Sequence, residues 1–118
     1  HLTDEQMIPT GQTAAYPQFE KLRQIDDTEF DHSFELDARE GRVEAILADA
    51  KQENKLHLWQ ETGAHKYNFL QVYIPPHRKT IALEPMSSNV NAFNNGDELI
   101  VLKPGENNEA SFGLWLEE

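Results

Sequence analysis

Three short stretches set polar, chemistry-bearing side chains among apolar neighbours. In Phe30-Asp31-His32-Ser33-Phe34 an aspartate stands between aromatics and ahead of a histidine. Such a carboxylate can accept hydrogen bonds from ligand hydroxyls; equally, Asp31 or Ser33 can cap a turn that leads into a strand. In Ile81-Ala-Leu-Glu84-Pro85-Met86 a glutamate closes an apolar run, and the proline behind it stiffens the backbone. Apolar surroundings disfavour the charged carboxylate and would raise its pKa toward the range of a general base. The alternative is a surface glutamate at a sheet rim. The third stretch, Asn89-Val-Asn91-Ala-Phe93-Asn94-Asn95-Gly96, gathers amides around an aromatic ring. Amides and a flat apolar face suit a sugar, which offers hydroxyls at its rim and C–H groups on its faces; the same letters also spell a plain Asn-Gly turn. Asn91 is the candidate ligand there. Gln71, between Leu70 and Val72, is an amide candidate of the same kind if it points inward, and a solvent-face residue otherwise.

Other chemistries find no support. Cysteine is absent, so disulfides, thiol catalysis and cysteine-based zinc sites are excluded. Histidines stand at 1, 32, 57, 65 and 77, with no His-x-His or i, i+4 pair to seat a metal. There is no glycine-rich phosphate loop, no Gly-x-Ser-x-Gly elbow and no His-Glu-x-x-His. No metal and no cofactor are expected.

The elements that must position these residues read as strands. Arg42–Asp49 alternates charged and apolar residues, and 54–61 puts Leu56 and Leu58 on one face with His57 and Trp59 on the other. Residues 68–74 are β-branched and aromatic and stop at Pro75-Pro76; 79–84 is the next short run, ended by Pro85. Residues 98–103 and 109–116 flank a Pro104-Gly105 turn and are predicted to pair with each other. One two-turn helix is predicted from Pro17 to Gln24. Short strands with turn residues at regular spacing predict an all-β fold, an antiparallel β-sandwich or a barrel.

Composition narrows the partners. With 10 Lys+Arg against 21 Asp+Glu in 118 residues, the net charge of −11 repels phosphate backbones and anionic lipid. Nucleic-acid and membrane partners are therefore not expected. No apolar run approaches the length of a membrane span, and no targeting signal is visible, which leaves the cytoplasm as the default location.

In their order, these stretches resemble the C-terminal part of the aldose 1-epimerase (galactose mutarotase-like) family. The matching segments are Met7-Ile-Pro-Thr-Gly11, Phe30-Asp-His-Ser-Phe34, Leu70-Gln-Val-Tyr73, Ile81-Ala-Leu-Glu-Pro-Met86, Asn91-Ala-Phe-Asn94 and Leu102-Lys-Pro-Gly-Glu106. The resemblance implies a large β-sandwich, part of a supersandwich, with a sugar cleft on its concave face. It implies interconversion of the α and β anomers of free aldohexoses without metal or cofactor. A glutamate takes the proton of the anomeric hydroxyl, a histidine protonates the ring oxygen, the ring opens, and reclosure gives the other anomer. By the same resemblance Glu84 is the base, Asp31 holds sugar hydroxyls and Gln71 lines the cleft.

The family's cleft histidines, the general acid among them, lie upstream of the Ile-Pro-Thr-Gly stretch, and His32, His57, His65 and His77 match neither. Residues 1–118 are accordingly expected to form a single unit equivalent to the C-terminal third of an aldose 1-epimerase, with the N-terminal part absent. An aldohexose is the expected substrate, and little activity is expected of this chain alone. Its exposed sheet edges favour a homodimer or pairing with the missing N-terminal part. The alternative function is a non-catalytic carbohydrate-binding β-sandwich.

Overall fold

The computed structural model describes residues 1–36 and 41–118. Period-two alternation produces six strands: β1 (Asp31–Glu35), β2 (Gly41–Ala48), β3 (Lys55–Thr62), β4 (Phe69–Tyr73), β5 (Ala82–Met86) and β6 (Phe112–Glu117). They form two antiparallel three-stranded sheets, ordered β1-β4-β5 and β2-β3-β6. The fold is all-β, as the turn spacing predicts, and its two sheets form a sandwich, as the family resemblance implies. Among the described residues no helix is long and apolar enough to cross a membrane.

The core lies where the inner faces of the sheets meet. Phe30, Leu70 and Val72 of the first sheet pack with Leu58 of the second, and Ala45, Leu83, Tyr16 and Phe19 close around them. Gln60 is buried on the inner face of β3 and donates to the carbonyls of Tyr67 (2.8 Å) and Phe69 (3.0 Å), so an amide ties one sheet to the other. Along the N-terminal flank, Tyr16 meets Phe34 edge to face at 5.2 Å and Phe19 meets Phe30 likewise at 5.2 Å. His32 stacks on Phe34 within this aromatic group, and burial pulls its pKa below the ordinary value. It is a core-edge histidine, on the opposite face of β1 from Asp31.

Several local expectations are corrected. Residues 98–103 form no strand; β6 pairs with β3 instead of with them. The predicted helix at 17–24 is a single 3-10 turn, Pro17–Phe19, too short for an isolated helix to persist. Pro85 does not end its strand: β5 is an edge strand and runs on to Met86, which leaves Glu84 at its centre. Asn95-Gly96 closes no hairpin, since Gly96 terminates a one-turn helix, α1 (Ala92–Asn95), in the left-handed conformation (φ 72°) that favours glycine.

The outer face of the second sheet carries a polar clamp. His57, on the central strand, is buried; its Nδ1 meets Glu44 Oε1 on β2 and its Nε2 meets Glu117 Oε2 on β6 at 2.8 Å. Trp115 stacks on the imidazole with centroids 3.7 Å apart. Alongside, Trp59 lies across Gly113, where a Cβ would come within 2.6 Å of the indole, and the Arg42 guanidinium covers the ring at 3.9 Å. The Glu44 hydrogen bond chiefly raises the His57 pKa, burial opposes it, and Glu117 adds to it. His57 and then Lys55 hold the Glu117 carboxyl below its ordinary value.

The clamp sets a pH dependence. A raised histidine contributes stability that is complete below about pH 6.5 and fades as pH rises through its folded value. A depressed glutamate contributes stability that is complete above about pH 4.5 and fades as pH falls. His32, shifted the other way, adds stability as pH rises toward about 6.5, so the alkaline limb belongs to His57. Thermal unfolding from about pH 6.5 to 9 is expected to show a steeper fall in Tm for the unmodified chain than for His57→Gln. Parallel profiles would remove the clamp from the account.

Candidate functional site

Register decides which side chains meet. In the first sheet Ser33, Gln71 and Glu84 form one cross-strand row, and Asp31, Tyr73 and Ala82 form the next. Opposed residues share a face and alternate residues along a strand share it too. Leu70 and Val72 point into the core, so Asp31, Ser33, Gln71, Tyr73 and Glu84 all lie on the outer face. The three candidates on strands are thus brought together from β1, β4 and β5.

Their polar contacts are specific. Gln71 Nε2 donates to Asp31 Oδ1 at 2.9 Å, which fixes the amide beside the carboxylate. The other end, Gln71 Oε1, is buried and accepts no hydrogen bond from the protein. Buried acceptors are seldom left unsatisfied, so this oxygen is suited to a donor from a ligand. Glu84 faces Gln71 directly across the strands, about 5 Å away by Cβ spacing. Its side chain is exposed, in contrast to the apolar enclosure expected of it.

The asparagine loop meets the sheet through a residue other than the expected one. Asn91 adopts φ 64° and turns on itself: Asn94 Nδ2 donates to Asn91 Oδ1 at 2.6 Å, and the Asn94 and Asn95 amides donate to its carbonyl. Asn89 is the member that reaches the sheet. It is 4% exposed, accepts from Ser33 Oγ at 3.1 Å and from Val90 N at 2.8 Å, and donates to Asp97 Oδ2 at 2.8 Å. Its Nδ2 also lies 3.2 Å from His1 Nδ1.

His1, Ser33 and Asn89 are not among the ligands expected from the sequence. The even residues of β1 hydrogen-bond β4, as the Leu36–Asn68 and Phe30–Ile74 bonds show, so Ser33 turns its carbonyl to the free edge. The backbone nitrogen of His1 donates to it at 2.8 Å. The imidazole then lies over Phe69 (centroids 5.7 Å) with Nε2 3.5 Å from Glu35 Oε2. Only the Asn89-Val-Asn91 spacing hinted at this: in an irregular loop, alternate amides can face opposite ways.

A cavity of about 720 Å³ runs beside this face along the free edge of β1. Asp31 and Tyr73 line it, with Tyr16, His32 and Arg78 on the other walls; Gln71 and Glu84 lie outside it. Arg78 spends its guanidinium on the carbonyls of Asp26 (2.8 Å) and Thr28 (2.9 Å), which anchors the loop after β4. Among the described residues no group of three or more acidic or histidine side chains is placed to hold a metal ion.

Two carboxylates and an amide with a free acceptor on one face of an antiparallel sheet can accept hydrogen bonds from hydroxyl groups. The aldose 1-epimerase family model matches residues 1–115 of the chain. This chain belongs to the aldose 1-epimerase family. No individual curated protein and no solved structure matches it. Membership rests on nearly the whole chain, the segments that form β1, β4 and β5 included.

Asn89 is expected to support this face structurally. Replacing it by Ala leaves the buried Ser33 hydroxyl without its acceptor, at a cost of about 1–3 kcal/mol. Urea unfolding should show that loss with an unchanged m-value, whereas Asn91→Ala should cost less. Equal losses would place both residues in the same structural role.

Proposed function

We propose that the outer face of β1-β4-β5 is the base-bearing side of a mutarotase site for aldohexoses. The buried, unpartnered Gln71 Oε1 between Asp31 and Glu84 is the observation that carries this reading. In this reading Asp31 accepts from sugar hydroxyls and Gln71 Oε1 takes one more. In the same reading Glu84 removes the proton of the anomeric hydroxyl. As that O–H bond gives up its electrons to form the carbonyl, the C1–ring-oxygen bond breaks and the ring oxygen takes up a proton. Rotation about C1–C2 and return of both protons yield the other anomer.

The ring-oxygen proton needs a general acid over the opposite edge of the sugar. His32 points into the core and His57 sits on the other sheet, so neither faces Glu84. We assign the chain the part equivalent to the C-terminal third of an epimerase, with the acid supplied by an upstream segment. Loss of a general acid typically lowers rates by about 10²–10⁴-fold, so the chain alone is expected to turn over slowly. The second reading, carbohydrate binding without proton transfer, draws support from the exposure of Glu84.

Polarimetry of α-glucose and α-galactose, with sugar titrations followed by NMR, separates the readings. Asp31→Ala should abolish binding. Glu84→Gln should keep binding and remove the residual mutarotation, including any that added imidazole restores by acting as an external acid. Mutarotation untouched by Glu84→Gln would overturn the catalytic assignment. Binding with no anomer exchange in either chain would establish the second reading.

A further inference from the structure

The end of the second sheet presents a strand built to meet its own copy. β6 is the last strand of the order β2-β3-β6. Its inner-face residues Phe112, Leu114 and Leu116 stand opposite Gln60, Leu58 and Leu56 and continue the apolar row of the core. Yet they are 50%, 61% and 57% exposed, because the first sheet does not reach over them. Large exposed apolar groups on an unprotected edge strand favour pairing with another strand.

Hydrogen-bond parity specifies how. The Glu61 amide donates to the Ser111 carbonyl at 3.0 Å, so Ser111, Gly113, Trp115 and Glu117 turn their backbone groups toward β3. Phe112, Leu114 and Leu116 therefore turn theirs to the open edge. An antiparallel ladder between two copies, with the twofold axis through Leu114, uses just these groups. Leu114 bonds Leu114 of the second copy and Phe112 bonds Leu116 in both directions: three pairs, each exchanging two hydrogen bonds. The same register keeps every apolar side chain on the inner face. Placing the axis through Trp115 would instead oppose residues whose backbone groups are already spent on β3.

Charge agrees with that register. Phe112 to Leu116 carries no charge, so the chain's net −11 is absent from the ladder itself. Glu117 would lie opposite Ser111 of the second copy, at the end where Lys66 contacts the Glu109 carbonyl (2.6 Å) and Glu61 (3.4 Å). The register thus keeps the acidic C-terminal ends of the two copies apart. The geometry points to a twofold homodimer in which β6 pairs with β6, joining two three-stranded sheets into one of six strands. The interface is isologous and closes on itself. It leaves the face holding Asp31, Gln71 and Glu84 uncovered.

The test reads oligomeric state and register together. Sedimentation equilibrium should show a reversible monomer–dimer equilibrium for the unmodified chain. Leu114→Lys, which sets two lysines face to face on the axis, should weaken it by about tenfold or more. The chain has no cysteine, so Leu114→Cys supplies a single thiol at the dyad. Bonded antiparallel pairs place Cα atoms about 5.5 Å apart, within disulfide reach. Mild oxidation should cross-link Leu114→Cys and not Val101→Cys, although Val101 is more exposed (74% against 61%). A chain that stays monomeric at all concentrations would leave the edge to some other strand and overturn the proposal. So would a dimer that survives Leu114→Lys in circular-dichroism-verified folded protein, or equal cross-linking of the two cysteine variants.

Discussion

The alternation of β4 between two jobs is the constraint on which the rest of the first sheet depends. Leu70 and Val72 must point inward to meet Leu58, and that sends Phe69, Gln71 and Tyr73 outward. The period of a strand is two, so a slip of one residue would bury Gln71 and expose the leucine and valine. Apolar burial thus fixes the orientation of the polar face without any polar contact being needed to do so. β1 and β5 take their parity from β4, and Asp31 and Glu84 inherit their positions from the core.

The two sheets solve the problem of an outward face differently. The first leaves polar groups with spare hydrogen-bonding capacity, Gln71 Oε1 above all. The second spends its groups on one another: His57 on Glu44 and Glu117, Trp115 on His57, Arg42 on Trp59. Each of the two indole rings has one face occupied, Trp59 by the Arg42 guanidinium and Trp115 by the His57 imidazole. Histidine and carboxylates lie on both sheets, but the buried acceptor without a partner, Gln71 Oε1, stands on the first, beside Asp31 and opposite Glu84.

How much was legible follows from the range of the forces involved. Period-two patterning and β-branched residues are local, and the strands at 42–49, 54–61 and 68–74 stand within a residue or two of where the sequence put them. The grouping of Asp31, Gln71 and Glu84 was legible only through resemblance, since register joins Asp31 to Gln71 across 40 positions and brings Glu84 in from a third strand. The pairing of β6 with β3, across about fifty residues, gave no local sign; Pro104-Gly105 drew the reading to the nearer partner. Asn91 and Asn89 look alike as letters. What separates them is that one reaches Ser33 across the fold and the other closes its own turn.

A flat sheet face can offer a sugar only one side. Neighbouring residues on it stand about 5 Å apart and point the same way, which suits carboxylates and amides that grip adjacent hydroxyls. Under the proposed chemistry the anomeric hydroxyl loses a proton while the ring oxygen gains one. Concerted transfer of that kind needs donor and acceptor to approach different edges of the ring. A base on the sheet floor and an acid on a wall above it satisfy that geometry, whereas two groups on the same floor do not. Along β1 the N-terminal segment rises beside Asp31 and the cavity, and His1 gives its backbone nitrogen to the free edge of the strand. The exposure of Glu84 has the same physical reading: the sheet floor leaves its carboxylate open to solvent, and a wall closing over it would exclude water from the ring and the carboxylate together.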